Sequence, residues 1–234
     1  MNKKFSPLIL LFLLSAIWGS SFAFIKIGVS SIPPLSMAAL RLCIAGMFLW
    51  SYIRYKNIEL PQEWKQWIPF LVISIFGNAI PFSLINWGET KIDSDLAAIL
   101  IGTTPIFTIF LAHFLTEDER LSGKKIFGVF LGFLGIMTLT GIDTVQETNQ
   151  NSLSQIAIIV SATSYAFAIV YARKIKKTSP LVITAASTIG AAYIMLIIAI
   201  LFDNQWIFNI SSHYPSLPSL VSVGFLGILN TALA

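Results

Sequence analysis

Apolar runs of about twenty residues follow one another along this chain, each the length a helix needs to cross a bilayer. They lie at about 8–29, 34–53, 67–87, 95–115, 125–141, 154–172 and 180–202, and an eighth begins near Leu217 and is still running at Ala234. Lipid offers no hydrogen bonds to an open backbone, so such runs must be helical. The expected fold class is therefore an all-α, polytopic integral membrane protein with no inserted soluble domain. Composition agrees: 56% of residues are hydrophobic and only 11% charged, where a soluble domain carries roughly 25% charge. Lys3 and Lys4 precede the first run as they would in a signal peptide. That run, however, continues to about Val29 without a clear small-x-small cleavage site, so it reads as the first span. The single cysteine, Cys43, sits mid-span, and no internal disulfide is expected. The net charge of +4 comes from basic residues in the short gaps between spans, which is not the footprint of a nucleic-acid binder.

Orientation follows from where lysine and arginine fall. One set of connections carries Lys3 and Lys4, then Arg54, Lys56 and Lys65, then Arg120, Lys124 and Lys125, then Arg173, Lys174, Lys176 and Lys177. The alternate set carries only Lys91. The N-terminus is expected to be cytoplasmic, in a multi-pass protein of the cytoplasmic membrane. The regular alternation also supports the span count, since one missed helix would scramble it.

A second pattern lies over the first. At a constant offset of 146, Ser15, Ala16, Pro34, Leu35, Ala39 and Ala45 fall on Ser161, Ala162, Pro180, Leu181, Ala185 and Ala191. With a helix-Pro-helix layout on both sides, this reads as an internal repeat of five-helix units. Five is odd, so span 1 and span 6 run in opposite directions and the copies are inverted, a common plan for carriers with a site near the membrane midplane. The expected organisation is a first repeat over 1–142, an external connection over 143–153 and an incomplete second repeat over 154–234. Residues 227–234 resemble 75–82 in the middle of span 3, and aligning Ala232 with Ala79 ends the second copy halfway through its third helix. A truncated gene product or a partial sequence is the reading expected from this.

Few residues within the spans could carry chemistry. Lys26 lies near the end of span 1, where it either snorkels to the interface or faces a cavity as a cation for an anionic substrate group. Arg41 is about seven residues below Pro34, too deep for an easy snorkel, and either pairs with backbone carbonyls near the turn or lines a pathway. No acidic residue falls within any span core to pair with either cation. Span 3 holds Asn78, Pro81, Ser83, Asn86 and Trp87; its polar groups read as interhelical glue or as a cavity lining. Span 4 holds Gly102, Thr103, Thr104 and Pro105 at its centre. Two proline-broken helices at mid-depth suit a substrate site built from irregular helices. Trp18 and Tyr165 sit mid-span in the paired helices 1 and 6, away from the interfaces aromatics prefer, which favours a stacking role. Gly128, Gly132 and Gly135 of span 5 read as a close-packing face. The acidic triplet Glu117-Asp118-Glu119 reads as a solvated loop. His113 has no ligand companions, with His213 on the opposite side, so no metal is expected. No phosphate loop, Ser-His-Asp set or Cys-x-x-Cys appears, so neither a cofactor nor an enzymatic reaction is expected.

The chain resembles the EamA-type branch of the drug/metabolite transporter superfamily. The matching residues are Trp18-Gly19-Ser20-Ser21-Phe22 with Lys26, Pro33-Pro34, Arg41 in Ala-Ala-Leu-Arg-Leu, Thr104-Pro105-Ile-Phe-Thr, Glu119-Arg120-Leu121-Ser122 and the Gly128/Gly132/Gly135 set. The resemblance implies ten helices in two inverted five-helix repeats around a central cavity. It also implies efflux or facilitated passage of amino acids, other metabolites or drugs. On that reading helices 1, 3, 4 and 6 line the cavity by alternating access. Trp18, Asn78, Asn86, Thr104 and Tyr165 contact a small-molecule substrate, with Lys26 or Arg41 as electrostatic guides. The expected partners are that substrate and the lipid bilayer, and a homo-oligomer is compatible with the sequence. The alternative is a truncated, transport-incompetent membrane protein or partner subunit. Reporter fusions test the orientation: a periplasmic reporter after Ser31 or Thr90 is expected to be active, and one after Lys56 or Lys125 inactive.

Overall fold

The computed structural model describes residues 7–61, 63–116, 122–140, 151–175, 178–208 and 214–233. The readings on Lys3, Lys4, Glu117 to Arg120, Lys176, Lys177, His213 and most of the 143–153 connection lie outside these residues.

The described residues form an all-α, multi-pass membrane protein, as the apolar runs predict. Six helices are long and apolar enough to cross a membrane. Span 1 is α1, Pro7–Val29, and span 2 is α2, Pro34–Tyr55. Span 3 is composite: α3 (Trp64–Ile73), a π-helical segment (Ser74–Ala79) and α4 (Ile80–Glu89). Span 4 breaks into α5 (Ser94–Ile101) and α6 (Thr104–Leu115). Span 5 is α7, Gly123–Thr140. Span 6 is α8, Ser152–Ala172, and span 7 is α9, Pro180–Phe202. A short α10, Asn204–Phe208, follows. The last run is α11, Leu217–Phe225, passing into a second π-helical segment, Leu226–Leu233.

The prolines place the irregularities. Pro81 has no N–H, so in the π register the carbonyl five residues back, Phe76 O, loses its donor. Ser164 Oγ on α8 supplies one at 2.7 Å. In span 4, Pro105 deprives Ile101 O of its partner, and Thr104 Oγ1 donates to that oxygen at 2.6 Å. Thr103 Oγ1 does the same for Leu100 O, also at 2.6 Å. Each break is thus met by a hydroxyl donor, from the neighbouring span 6 in span 3 and from its own threonines in span 4, as a break at membrane depth requires.

Spans 2 and 7 make the most extensive helix contact. Their facing surfaces are lined by small residues: Ala38, Ala39, Ala45 and Gly46 on one, Ala185, Ala186, Ala191 and Ala192 on the other. Without a hydrophobic drive in lipid, such close backbone approach is what holds helices together. Around this pair the contacts are two-fold. Span 1 packs on span 8 and span 3 on span 6; span 2 packs on the second π segment and span 7 on the first. Exchanging spans 1 with 6, 2 with 7 and 3 with 8 carries each of these pairs onto another. The detail follows the same exchange. A Cβ on Gly227 would lie 2.8 Å from Ile44 Cβ, and one on Gly190 would lie 3.5 Å from Ser74 Cβ. Ile44 and Gly190 are separated by the repeat offset of 146.

Span 5 departs from expectation. Nothing lies within 4 Å of a Cβ built on Gly128, Gly132 or Gly135. The glycine face packs against no neighbour among the described residues; the main contacts of α7 are with the two halves of span 4.

Two alanine substitutions separate these situations. Gly227→Ala would press a methyl against the Arg41 carbonyl oxygen at 3.0 Å as well as against Ile44. It is expected to cost about 1–3 kcal/mol and lower the thermal midpoint of the purified protein, whereas Gly128→Ala leaves that midpoint unchanged.

Candidate functional site

The buried centre of the bundle is built on Arg41. A helix rises about 1.5 Å per residue, which puts Arg41 about 10 Å into span 2 from Pro34. It is only 5% exposed. Its partners are not backbone carbonyls near the turn, as the sequence suggested, but side chains of the second π segment. Nε donates to Thr231 Oγ1 at 2.8 Å and a terminal nitrogen donates to Asn230 Oδ1 at 3.3 Å. Asn230 Nδ2 in turn donates to Ile17 O of span 1 at 2.5 Å. The guanidinium lies over the Phe82 ring, 3.9 Å from its centroid. Phe82 meets Tyr165 edge to face at 6.5 Å. Spans 1, 2, 3, 6 and 8 are thereby joined by one cation and its shell.

The π register makes this geometry available. Thr231 Oγ1 donates to Leu226 O, five residues back, at 2.8 Å, and still has lone pairs for Arg41. A polar residue at membrane depth is costly and has to face protein or water. Here the extra turn width of the π segment directs Asn230 and Thr231 inward together.

The other residues predicted from sequence are distributed around the bundle. Tyr165 joins the Arg41 cluster through Phe82 and packs against both central apolar groups. Asn78 is half-buried in the first π segment, its amide 3.5 Å from Ile73 O. Asn86 is fully buried and donates to Pro34 O at 3.1 Å, while its Oδ1 has no partner. Thr104 uses its hydroxyl on the span 4 break. Trp18 is 56% exposed. No hydrogen bond or ring contact among the described residues links Trp18, Lys26 or Thr104 to Arg41.

Lys26 neither snorkels freely nor stands open as a cation. Its Nζ donates to Glu89 O at 3.1 Å and Ile92 O at 2.7 Å, and lies 3.3 Å from Asp93 Oδ1. It caps the last carbonyl of span 3 and one in the turn beyond it, a placement the helix dipole favours. The same end of the bundle carries further ties. Ser36 donates through N and Oγ to Asp203 Oδ2, both at 2.8 Å. Ser31 Oγ donates to Ser219 Oγ at 2.8 Å.

Two groups escaped the sequence reading. Asn230 and Thr231 were signalled only by the match of 227–234 to the middle of span 3, which, with Ala232 on Ala79, sets Thr231 where span 3 has Asn78. Glu89 was placed in a connection. The α-helix instead continues through Trp87 and Gly88, because nothing breaks it before the turn at Thr90, and Glu89 is completely buried. Gly88 permits this, since a Cβ there would lie 2.8 Å from Ile158 Cγ1.

This arrangement defines a class: a polytopic membrane protein with a polar centre set between two π-interrupted helices. Residues 5–141 match the EamA-like transporter family, and the chain belongs to that family. It is 26% identical over 226 residues to the uncharacterized inner membrane transporter YedA of Escherichia coli, covering 96% of this chain and 70% of that one. It is 32% identical over 212 residues to protein PagO of Salmonella typhimurium, covering 88% and 66%. The uncharacterized transporter YoaV of Bacillus subtilis is 24% identical over 190 residues, covering 80% and 64%. Among the solved structures that share the fold is a crystal structure with a TM-score of 0.69 at 19% identity, covering 94% of this chain and 74% of that one.

The Arg41 shell is testable by coupling. Thr231→Val strands Arg41 Nε and is expected to cost about 1–3 kcal/mol. In an Arg41→Ala background that cost is expected to shrink, because the stranded donor is already gone. Thermal midpoints of the two single variants and the double variant measure it.

Proposed function

We propose that this membrane transporter moves small metabolites or drugs, amino acids and related compounds among them, by efflux or facilitated passage across the cytoplasmic membrane. The observation that carries the reading is the Arg41 cluster: a buried cation, a tyrosine and two π-interrupted helices meeting at mid-depth, the setting in which discontinuous helices present polar groups to a substrate. Arg41 attracts an anionic group, Tyr165 supplies a stacking face, and Asn78 and Asn86 offer amide contacts from span 3. Lys26 and Thr104, whose polar atoms are held by backbone, act on substrate only through the helices they tie. Trp18 contributes from span 1 where that helix borders the cavity. The reading is of a carrier and not of an enzyme.

Alternating access follows on this proposal from two inverted units, 1–142 and 154–234, joined by 143–153. The two-fold contact pattern around spans 2 and 7 supports that division. The basic connections support a cytoplasmic N-terminus. The chain spans about 70% of the length of YedA, so whole-carrier activity and substrates enter here as proposals.

Expression in a bacterial host challenged with a panel of toxic amino-acid analogues and drugs tests the reading. At least one compound is expected to accumulate less than in the empty-vector strain. Arg41→Ala is expected to remove that difference at least tenfold while still reaching the membrane. No protection against any compound, or full protection by the Arg41 variant, would contradict the proposal.

A further inference from the structure

Glu89 takes no part in the central cluster, and its hydrogen bonding points to a second kind of ligand. We propose that Glu89 is a proton-binding site, a neutral acid while the Lys26 end of the bundle is packed as here, which releases its proton when that end opens.

The hydrogen-bond donors around Glu89 are too few for a carboxylate. The side chain is 0% exposed. Ser94 Oγ lies 3.1 Å from Glu89 Oε2 and 3.2 Å from Phe22 O. A serine hydroxyl has one hydrogen and cannot donate to both. With a proton on Oε2 both contacts are satisfied: the acid donates to Ser94 Oγ, and Ser94 donates to Phe22 O. As a carboxylate, Glu89 would compete for that hydrogen, and its Oε1 has no partner at all. A buried carboxylate without pairing is costly and is avoided by taking up a proton.

The nearby cation gives its carboxyl no hydrogen bond. Lys26 has three N–H donors, and they go to Glu89 O, Ile92 O and Asp93 Oδ1. No ion pair joins Lys26 to the Glu89 carboxyl. The other charged groups on the surrounding elements are Lys91 and Asp93 in the turn, Asp95 on α5, and Arg41 and Arg54 on α2; the further titratable groups are Cys43, Tyr52 and Tyr55 on α2 and Tyr165 and Tyr171 on α8. Arg41 is bonded to Asn230 and Thr231. None of these donates to Glu89.

The site sits where spans 1, 3, 4 and 6 meet. Glu89 meets span 4 through Ser94 and, through that hydroxyl, span 1 at Phe22. The adjacent Gly88 is pressed against Ile158 of span 6. Opening this end admits water to Glu89, and the exposed acid loses its proton to the adjoining aqueous phase. The sign follows by linkage: the packed state binds one more proton than the open state, so raising pH on that face favours opening. The opening rests on the alternating-access reading above; the proton on Glu89 in the packed state does not, because a proton site can be observed without any substrate.

Infrared spectroscopy of the purified full chain near neutral pH tests it through the carbonyl stretch of a protonated carboxyl. Wild type is expected to show a band that is absent in Glu89→Gln and lost reversibly as pH rises. Should Glu89→Gln not be recovered, Ser94→Ala replaces it: loss of the hydroxyl partner is expected to shift the band. No band in wild type, or one unchanged in the recovered variant, would overturn the proposal.

Discussion

Every irregularity in this fold answers to one constraint: within lipid, each backbone carbonyl and amide needs a partner inside the protein. Proline at 81 and 105 withdraws donors at membrane depth, and Ser164 and Thr104 restore them. The π segments leave room for polar side chains to turn inward without exposing backbone. The central site is a consequence. Asn230 and Thr231 reach Arg41 because the helix carrying them has widened, and the serine that stabilises the first widened helix comes from the neighbouring span.

Packing by small residues does the rest. Spans 2 and 7 approach through alanines and a glycine, and the remaining helices are arranged about that contact in matching pairs. The roles of large and small residue swap between the matches: Ile44 fits Gly227, and Ser74 fits Gly190. A repeat whose identities have largely drifted apart can therefore keep its geometry, since the contact needs only one small partner on either side.

Much of the fold was legible in the sequence. Span lengths, the Pro33-Pro34 turn and the break at Gly102 to Pro105 follow from hydropathy and from proline's missing N–H. The importance of Arg41 followed from its depth. Its partners did not, because a π bulge has no sequence mark beyond the proline after it, and the second segment, Leu226–Leu233, lacks even that. Lys26 was found but its role was not, since snorkelling and carbonyl capping require the same residue at the same height. Glu89 was misplaced because a charge beside an apolar run reads as the end of the run. The packing face expected of Gly128, Gly132 and Gly135 failed for a related reason: small residues license close approach without supplying a neighbour.

The arrangement of the bundle depends on the paired contacts about spans 2 and 7, and disulfide trapping addresses them directly. In a Cys43→Ser background, Ile44→Cys with Gly227→Cys and Ser74→Cys with Gly190→Cys place Cβ atoms close enough for a bridge with slight adjustment. Both pairs are expected to cross-link in membranes under mild oxidation, seen as a loss of free thiol that reductant reverses. A correctly inserted protein in which only one pair, or neither, cross-links would contradict the two-fold arrangement.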